Sequence, residues 1–200
     1  RSGRVIFDKN SQIGLAPAST QKIITSVTSF ELLGKEFRYK TAFGVIQGKN
    51  EYSLYIKPSG DPTFGSWRWN VTNETSILNR ISKGFGATNA NFSSTIVISQ
   101  EGWSTQRIPD GWIWQDIANY YGAGAGSLNW RENQFDVYLS SGEKVGDKVE
   151  VRGTEPNLYS YNITSEATAA KTGTGDNAYI YFPLSGNQGI VRGTIPVNEK

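Results

Sequence analysis

The chain has 200 residues, a formal net charge of +2 from 20 basic and 18 acidic residues, and no Cys, His or Met. The balanced charge does not indicate nucleic acid or an anionic membrane as a partner. The lack of Cys and His excludes disulfides, Cys/His metal sites, cysteine nucleophiles and triads with a histidine base. No apolar run approaches the roughly 18 residues of a membrane span, so no transmembrane segment is expected. Because the first residue is not Met, we expect the chain to begin after its native start.

The first forty residues predict a strand and a helix. Residues 4–7 alternate weakly between polar and apolar side chains, which favours a short strand. Apolar residues recur near helical spacing over residues 19–33, directly after Pro17. Gly34 follows the last of them, where a glycine commonly ends a helix. The sequence therefore predicts a helix from about residue 19 to residue 33.

The middle of the chain predicts further strands and a second helix. Residues 41–46 and 52–56 flank a Gly48-Lys49-Asn50 turn and predict a hairpin. Asn73 is a candidate N-cap for a helix that ends at Gly84. More strands are expected over 95–98 and, beyond the glycine-rich break at 122–126, over 135–139, 145–151, 158–163, 178–182 and 189–195. The pattern favours an α+β fold with a β-rich second half, divided near Thr41 and Asp116.

Ser19 and Lys22 form the strongest candidate for chemistry. Residues three apart on a helix share a face, so the Lys22 amine can reach the Ser19 hydroxyl. Ser19 lies at the predicted helix start, where free backbone N–H groups favour an anion and can stabilise an oxyanion. Lys22 must lose its proton to act as a base, which burial and nearby positive charge would favour. The alternative is a helix cap at Ser19 and a solvated lysine at position 22.

The spacing alone is weakly specific, because Ser141 and Lys144 have it too. That second pair lies in a predicted hairpin turn, with no helix to align the two side chains. We interpret it as accidental.

The sequence around Ser19 resembles a known family. Residues 16–25 (APASTQKIIT) are similar to the active-serine helix of the penicillin-binding proteins, and residues 4–7 and 33–41 fit the same pattern. Four later segments are similar to the class C D-alanyl-D-alanine carboxypeptidase/endopeptidase branch, whose members carry domains inserted after that helix: SGDP at 59–62, GWIWQD at 111–116, YGA at 121–123 and VRGTIP at 191–196.

The resemblance implies a fold and a function. Residues 1–41 would be the first segment of a serine acyltransferase domain, 42–116 an inserted α/β subdomain and 117–200 an inserted β-rich subdomain. Ser19 would be the nucleophile and Lys22 its base, with no metal or organic cofactor. The substrate would be a peptidoglycan stem peptide ending in D-Ala-D-Ala, β-lactams would acylate the enzyme, and the location would be periplasmic or otherwise extracytoplasmic in a bacterium.

The family also uses a Ser-x-Asn and a Lys-Thr-Gly motif. Ser-x-Asn occurs at Ser127/Asn129 and at two other places among predicted strands, and Lys-Thr-Gly occurs at 171–173. In the family the inserted domains separate these motifs from the serine, and the distances here are too short. We interpret Lys171 as a decoy and expect the genuine motifs beyond Lys200, which makes this chain an N-terminal fragment. The alternative, a complete active site that includes Lys171, stays open.

Other residues suggest a function that involves carbohydrate. Asp110 and Asp116 flank Trp112 and Trp114, as paired carboxylates and sugar platforms do in a glycosidase. We favour a Trp-rich core with capping acids. The rival to an enzyme is a non-catalytic cell-wall or glycan-binding module in which Ser19 only caps a helix.

Overall fold

A computed structural model describes residues 2–49, 51–86, 92–104 and 106–199. The chain divides into two compact units, Arg1–Arg38 and Tyr39–Lys200. The fold is α+β, with few helices and three sheets among the described residues, as the sequence predicts. No helix in the described part of the chain is long and apolar enough to cross a membrane.

The first unit is built around one long helix. A 3-10 turn at Ala18–Thr20 leads into α1, Gln21–Leu33. Gly34 ends α1 with φ 76°, and its N–H donates to the Phe30 carbonyl at 2.9 Å. This confirms the predicted helix. The strand expected over residues 4–7 is wrong: this segment is irregular, because the described residues of the unit contain no other strand with which it could pair.

The second unit begins with a three-stranded sheet. Strands β1 (Ala42–Gln47) and β2 (Tyr52–Lys57) pair antiparallel, as the hairpin signal predicts. Asn50 of the predicted turn lies outside the described residues. Strand β3 (Phe92–Ile98) pairs parallel with β2. The connection between β2 and β3 carries α2 (Glu74–Phe85).

The N-cap of α2 follows the prediction, but its C-terminal end does not. The Asn73 side chain accepts a hydrogen bond from the Ser76 N–H at 2.8 Å, which confirms the cap. The helix continues past Gly84 to Phe85, and Gly86 is its C-cap. A glycine inside a helix costs only about 1 kcal/mol relative to alanine, so Gly84 does not end it.

The remaining elements form two more sheets. After the short helix α3 (Trp114–Ile117), strands β4 (Asp136–Ser140) and β5 (Glu150–Glu155) pair antiparallel. A four-stranded sheet follows, made of β6 (Asn162–Ser165), β7 (Thr168–Ala170), β8 (Asn177–Tyr181) and β9 (Gln188–Pro196). Strand β9 pairs parallel with β6 and β7 and antiparallel with β8. The three-residue β7 had no sequence signal.

Buried apolar side chains hold the second unit together. One cluster joins the last two sheets and contains Val149, Ala167, Val191 and Ile195, each at most 5% exposed. Ile56 of β2, Phe64 and Ile77 of α2 are buried as well. The Phe64 ring also stacks on Phe43 and meets Trp130 edge-on, with centroids 6.2 and 5.4 Å away. These contacts give Tyr39–Lys200 a packed interior of its own.

Candidate active site

A tight turn presents Ser19 ahead of α1. The Thr20 N–H donates to the Pro17 carbonyl at 3.0 Å, and the Thr20 hydroxyl donates to the same oxygen. Ala18 has φ 45°, in the left-handed region that a non-glycine residue seldom adopts. Backbone strain of this kind clusters at functional sites. The turn therefore holds Ser19 in a constrained position beside the helix.

Lys22 lies one turn along from Ser19 and contacts it. The Lys22 Nζ donates a hydrogen bond to the Ser19 Oγ at 3.0 Å, which confirms the contact predicted from the i, i+3 spacing. Both residues are exposed. An amine within hydrogen-bond distance of a hydroxyl can remove its proton once the amine itself is neutral, and the oxygen then becomes a nucleophile.

The helix that carries this pair is apolar on several sides. All residues of α1 are described by the structure, and none of them is buried. Its exposed apolar side chains include Ile23, Ile24, Val27, Phe30 and Leu33. A broad apolar surface on a helix is typical of one that packs against other elements of a domain. The exposed apolar side chains of α1, next to Ser19, are therefore typical of a helix that packs against another part of a protein.

Comparisons with known proteins identify the family of the chain. The sequence profile of the D-Ala-D-Ala carboxypeptidase 3 (S13) family matches residues 1–200. The chain belongs to this family.

Two curated proteins align with most of this chain. D-alanyl-D-alanine carboxypeptidase DacB of Haemophilus influenzae is 26% identical over 153 residues, which are 74% of this chain and 30% of that protein. Penicillin-sensitive carboxypeptidase A of Dictyostelium discoideum is 24% identical over 155 residues, which are 72% of this chain and 29% of that protein. The chain thus spans about a third or less of the length of the relatives that it matches.

Ser127 and Asn129, the Ser-x-Asn candidate, are buried in the second unit. The Ser127 Oγ donates to Gln100 Oε1 at 3.0 Å. The Asn129 Oδ1 accepts from the Gly126 N–H at 3.1 Å, and its Nδ2 donates to the Asp61 carbonyl at 3.4 Å. These side chains tie three loops together, and this structural role accounts for their burial.

Lys171, Thr172 and Gly173 form an exposed turn between β7 and β8. The Lys171 carbonyl accepts from the Thr174 N–H and hydroxyl at 3.3 and 2.9 Å, and Gly173 has φ 83°. A turn of this geometry explains the glycine and the threonines without a substrate. The Lys171 assignment as a decoy stays a prediction.

The second Ser-x-x-Lys match lies in the loop between β4 and β5, as predicted. The Ser141 Oγ donates to the Pro196 carbonyl at 2.5 Å and accepts from the Glu199 N–H at 3.0 Å. The Lys144 N–H donates to Asp147 Oδ2 at 2.9 Å. The Ser141 hydroxyl is therefore hydrogen-bonded to the end of β9 and to the segment that follows it, and Lys144 is not among these partners.

The interpretation of Trp112 and Trp114 as a core is wrong. Trp112 is 40% exposed and Trp114 is 51% exposed. The Trp114 Nε1 donates to the Phe182 carbonyl at 2.8 Å and its ring meets Tyr181 edge-on, so this ring is anchored at the surface. Composition alone does not reveal this, since surface rings and core rings use the same residue types.

The two flanking carboxylates have separate partners. Asp110 Oδ1 accepts from Gln106 Nε2 at 3.0 Å, and Asp116 Oδ1 accepts from the Tyr121 hydroxyl at 3.3 Å. Desolvation, together with the adjacent Asp116 carboxylate, raises the pKa of Tyr121. Tyr121 therefore remains a hydrogen-bond donor to Asp116 at neutral pH.

Left-handed backbone occurs at two places where the sequence carries little or no signal for it. One is Ala18, whose alanine side chain carries no signal for a positive φ. The other is the segment Arg131, Glu132 and Asn133, with φ 51°, 58° and 56°. Asparagine tolerates this region better than other residues, so Asn133 is the one residue whose type hinted at it.

Proposed function

We propose that this chain carries the nucleophile and the base of a serine-type D-Ala-D-Ala carboxypeptidase/endopeptidase. The observation that supports this most directly is the 3.0 Å hydrogen bond from Lys22 Nζ to Ser19 Oγ at the head of α1, in a member of the S13 family. Both relatives are named as carboxypeptidases, and one of them as penicillin-sensitive.

The proposed reaction has two steps. Neutral Lys22 takes the proton of the Ser19 hydroxyl while Oγ attacks the carbonyl carbon between the two D-alanines of a stem peptide. The C–N bond breaks, D-alanine leaves with the proton on its amine, and an ester to Ser19 remains. Water then cleaves this ester and restores the serine. Attack at the corresponding bond of a cross-link gives the endopeptidase reaction.

We further propose that the active site is completed by protein beyond this chain. A lysine base requires burial or neighbouring positive charge to be neutral at pH 7, whereas Ser19 and Lys22 are exposed. The apolar surface of α1 fits a place inside a larger domain, and the relatives are more than three times as long as the matched segment. In this proposal residues 1–41 start the acyltransferase domain, and 42–116 and 117–200 are inserted subdomains.

The family resemblance also supports a proposal for the substrate, the inhibitors and the cellular location. The substrate is a stem peptide ending in D-Ala-D-Ala, and β-lactams are covalent inhibitors because their strained amide resembles that terminus. Peptidoglycan is reached from outside the cytoplasm, so we propose a periplasmic or cell-wall-facing location. No step of the proposed reaction uses a metal or an organic cofactor.

Fluorescent penicillin tests the proposal directly. The label is applied to the 200-residue chain and to the complete protein that contains it, followed by a denaturing gel. We expect the complete protein to retain the label and its Ser19→Ala variant to lose it entirely. Ser19 is exposed and its hydroxyl accepts from the exposed Lys22 amine, not from a helix N–H, so the variant should still fold.

Two results would contradict the assignment. A Ser19→Ala protein that is still labelled would place the nucleophile elsewhere. Complete protein that is never labelled, although folded by circular dichroism, would favour the non-catalytic cell-wall module.

A further inference from the structure

Two adjoining cavities of about 670 and 490 Å³ lie in Tyr39–Lys200. Both are lined by the same four residues at their junction: Ala123, Gly124, Asn133 and Gln134. Because they share these lining residues, the two cavities lie side by side, and we call the pair the junction groove.

Exposed aromatic rings line both arms of the junction groove. Trp69 (56% exposed) and Trp103 (40%) line the smaller arm. Tyr120 (71%) and Tyr161 (46%) line the larger one. Rings of this size left open to water in a cavity mark a binding site more often than they serve packing.

The position of Trp103 depends on a glycine. A Cβ on Gly60 would lie 2.4 Å from the Trp103 ring, and Gly60 also has φ 76°. Any other residue at position 60 would displace the ring. The absence of a side chain at Gly60 thus allows the Trp103 ring to approach the backbone there.

The polar lining of the junction groove is almost neutral. Asn119, Asn129, Asn133 and Gln134 contribute amides. Among the described lining residues the charged side chains are Arg107 and Glu132. Glu132 is neutralised by the Arg68 Nε at 2.8 Å and accepts from the Ser66 hydroxyl at 2.6 Å.

A strained turn holds the floor where the two arms meet. Arg131, Glu132 and Asn133 are all left-handed, and such a run costs energy at each non-glycine residue. The turn is fixed by the Arg131–Glu74 ion pair at 2.7 Å and by the hydrogen bond from Asn133 Nδ2 to the Gly124 carbonyl at 2.8 Å. A strained backbone that is held by contacts of this kind is typical of functional and ligand-binding positions.

We propose that the junction groove binds the glycan strand of peptidoglycan, a linear chain of N-acetylated amino sugars. This inference rests on the proposed function, because it assigns to the second unit the carbohydrate that carries the stem peptide. The groove holds the polymer while the peptide is cleaved elsewhere, so it increases the local concentration of the substrate.

The chemistry of the lining favours a sugar over a peptide. The face of an aromatic ring carries partial negative charge, so it attracts the polarised C–H groups of a pyranose ring that stacks on it. Amide side chains donate to and accept from hydroxyl and acetamido groups. A stem peptide carries several carboxylates, and among the described lining residues Arg107 and the already paired Glu132 are the charged ones, so the lining offers little cationic charge to bind it.

Titration of the full chain with a soluble β-linked tetrasaccharide of N-acetylglucosamine tests the proposal. Binding is followed by tryptophan fluorescence and by calorimetry. We expect saturable binding that weakens about tenfold in Trp69→Ala and, separately, in Tyr120→Ala. The matched controls are Trp67→Ala and Tyr159→Ala, which remove rings that are 52% and 91% exposed and do not line the groove. These controls should bind within about twofold of the unaltered chain.

A peptide ending in D-Ala-D-Ala but free of sugar serves as the competitor, and we expect it not to displace the tetrasaccharide. The proposal is overturned by a lack of saturable binding, by equal losses in the control variants, or by displacement by the peptide, which would make the depression a peptide groove. The titration measures binding and not acylation. If the complete protein is not labelled by penicillin but the chain binds the tetrasaccharide, only the proposed function is contradicted. If the complete protein is labelled but the chain does not bind the tetrasaccharide, only the glycan-binding proposal is contradicted.

Discussion

The two units of the chain differ in how their apolar residues are used. In Arg1–Arg38, α1 has a candidate nucleophile and base at its head, yet no residue of this fully described helix is buried. In Tyr39–Lys200, valine and isoleucine side chains close a core between sheets, and the polar side chains of the loops are bonded to one another. The proposed nucleophile and base thus lie in the unit with less packing of its own.

This contrast shows what each unit requires. The contact between Ser19 and Lys22 needs only one helical turn, so it forms in a helix that lacks a core. A folded sheet needs partners from distant parts of the sequence, and the second unit contains them. In the proposed function the first unit therefore supplies the reactive groups, and the second supplies a stable surface.

The largest effect beyond loss of the nucleophile should come from Lys22. We expect Lys22→Ala in the complete protein to slow penicillin acylation by about 10²–10⁴-fold, because no base then removes the serine proton. Acylation rates come from a time course of fluorescent labelling. Lys22→Arg keeps the positive charge but cannot lose its proton at ordinary pH, so it should be similarly slow. Rapid labelling of the arginine variant would show that charge, and not proton transfer, is the contribution of Lys22.

Core substitutions test the contrast in packing. Ile195 is 5% exposed, and Ile195→Ala should lower the free energy of unfolding of this chain by about 2–4 kcal/mol. Ile24 is exposed in α1, and the same substitution there should change it by no more than about 0.5 kcal/mol. Urea denaturation measures both. A cost at Ile24 equal to that at Ile195 would mean that α1 is packed in the isolated chain.

The smallest effect is expected at Lys171. Because its turn between β7 and β8 is explained by local hydrogen bonds, Lys171→Ala in the complete protein should leave the rate of penicillin labelling within about twofold. The same time course as for Lys22 provides the measurement. A large loss of labelling would place Lys171 in the active site and make the chain nearly complete in itself.

Local signals in the sequence predicted the local features of the fold. Periodic apolar residues and Gly34 predicted α1, and a glycine-containing turn predicted the β1–β2 hairpin. The residue type of Asn73 predicted the N-cap of α2. These depend on interactions a few residues apart, which composition and spacing express directly.

Nonlocal features were predicted less well. Strand β7 has only three residues, and its pairing with β9 is decided by residues more than twenty positions away. The exposure of Trp112 and Trp114 depends on what covers them, which their residue type does not state. At the site the pairing of Ser19 with Lys22 could be predicted from spacing, but the strain at Ala18 could not.

Strand β9 has a consequence for the order of folding. Residues 188–191 of β9 pair with β6 and residues 194–196 with β7, while 190–194 pair with β8. In the described part of this sheet β6, β7 and β8 bond to β9 and not to one another. On a ribosome β9 emerges last of the four, so the earlier strands wait with open edges until it arrives. Formation of this sheet is therefore a late, high-contact-order event, and nascent chains halted before residue 188 should be prone to aggregation.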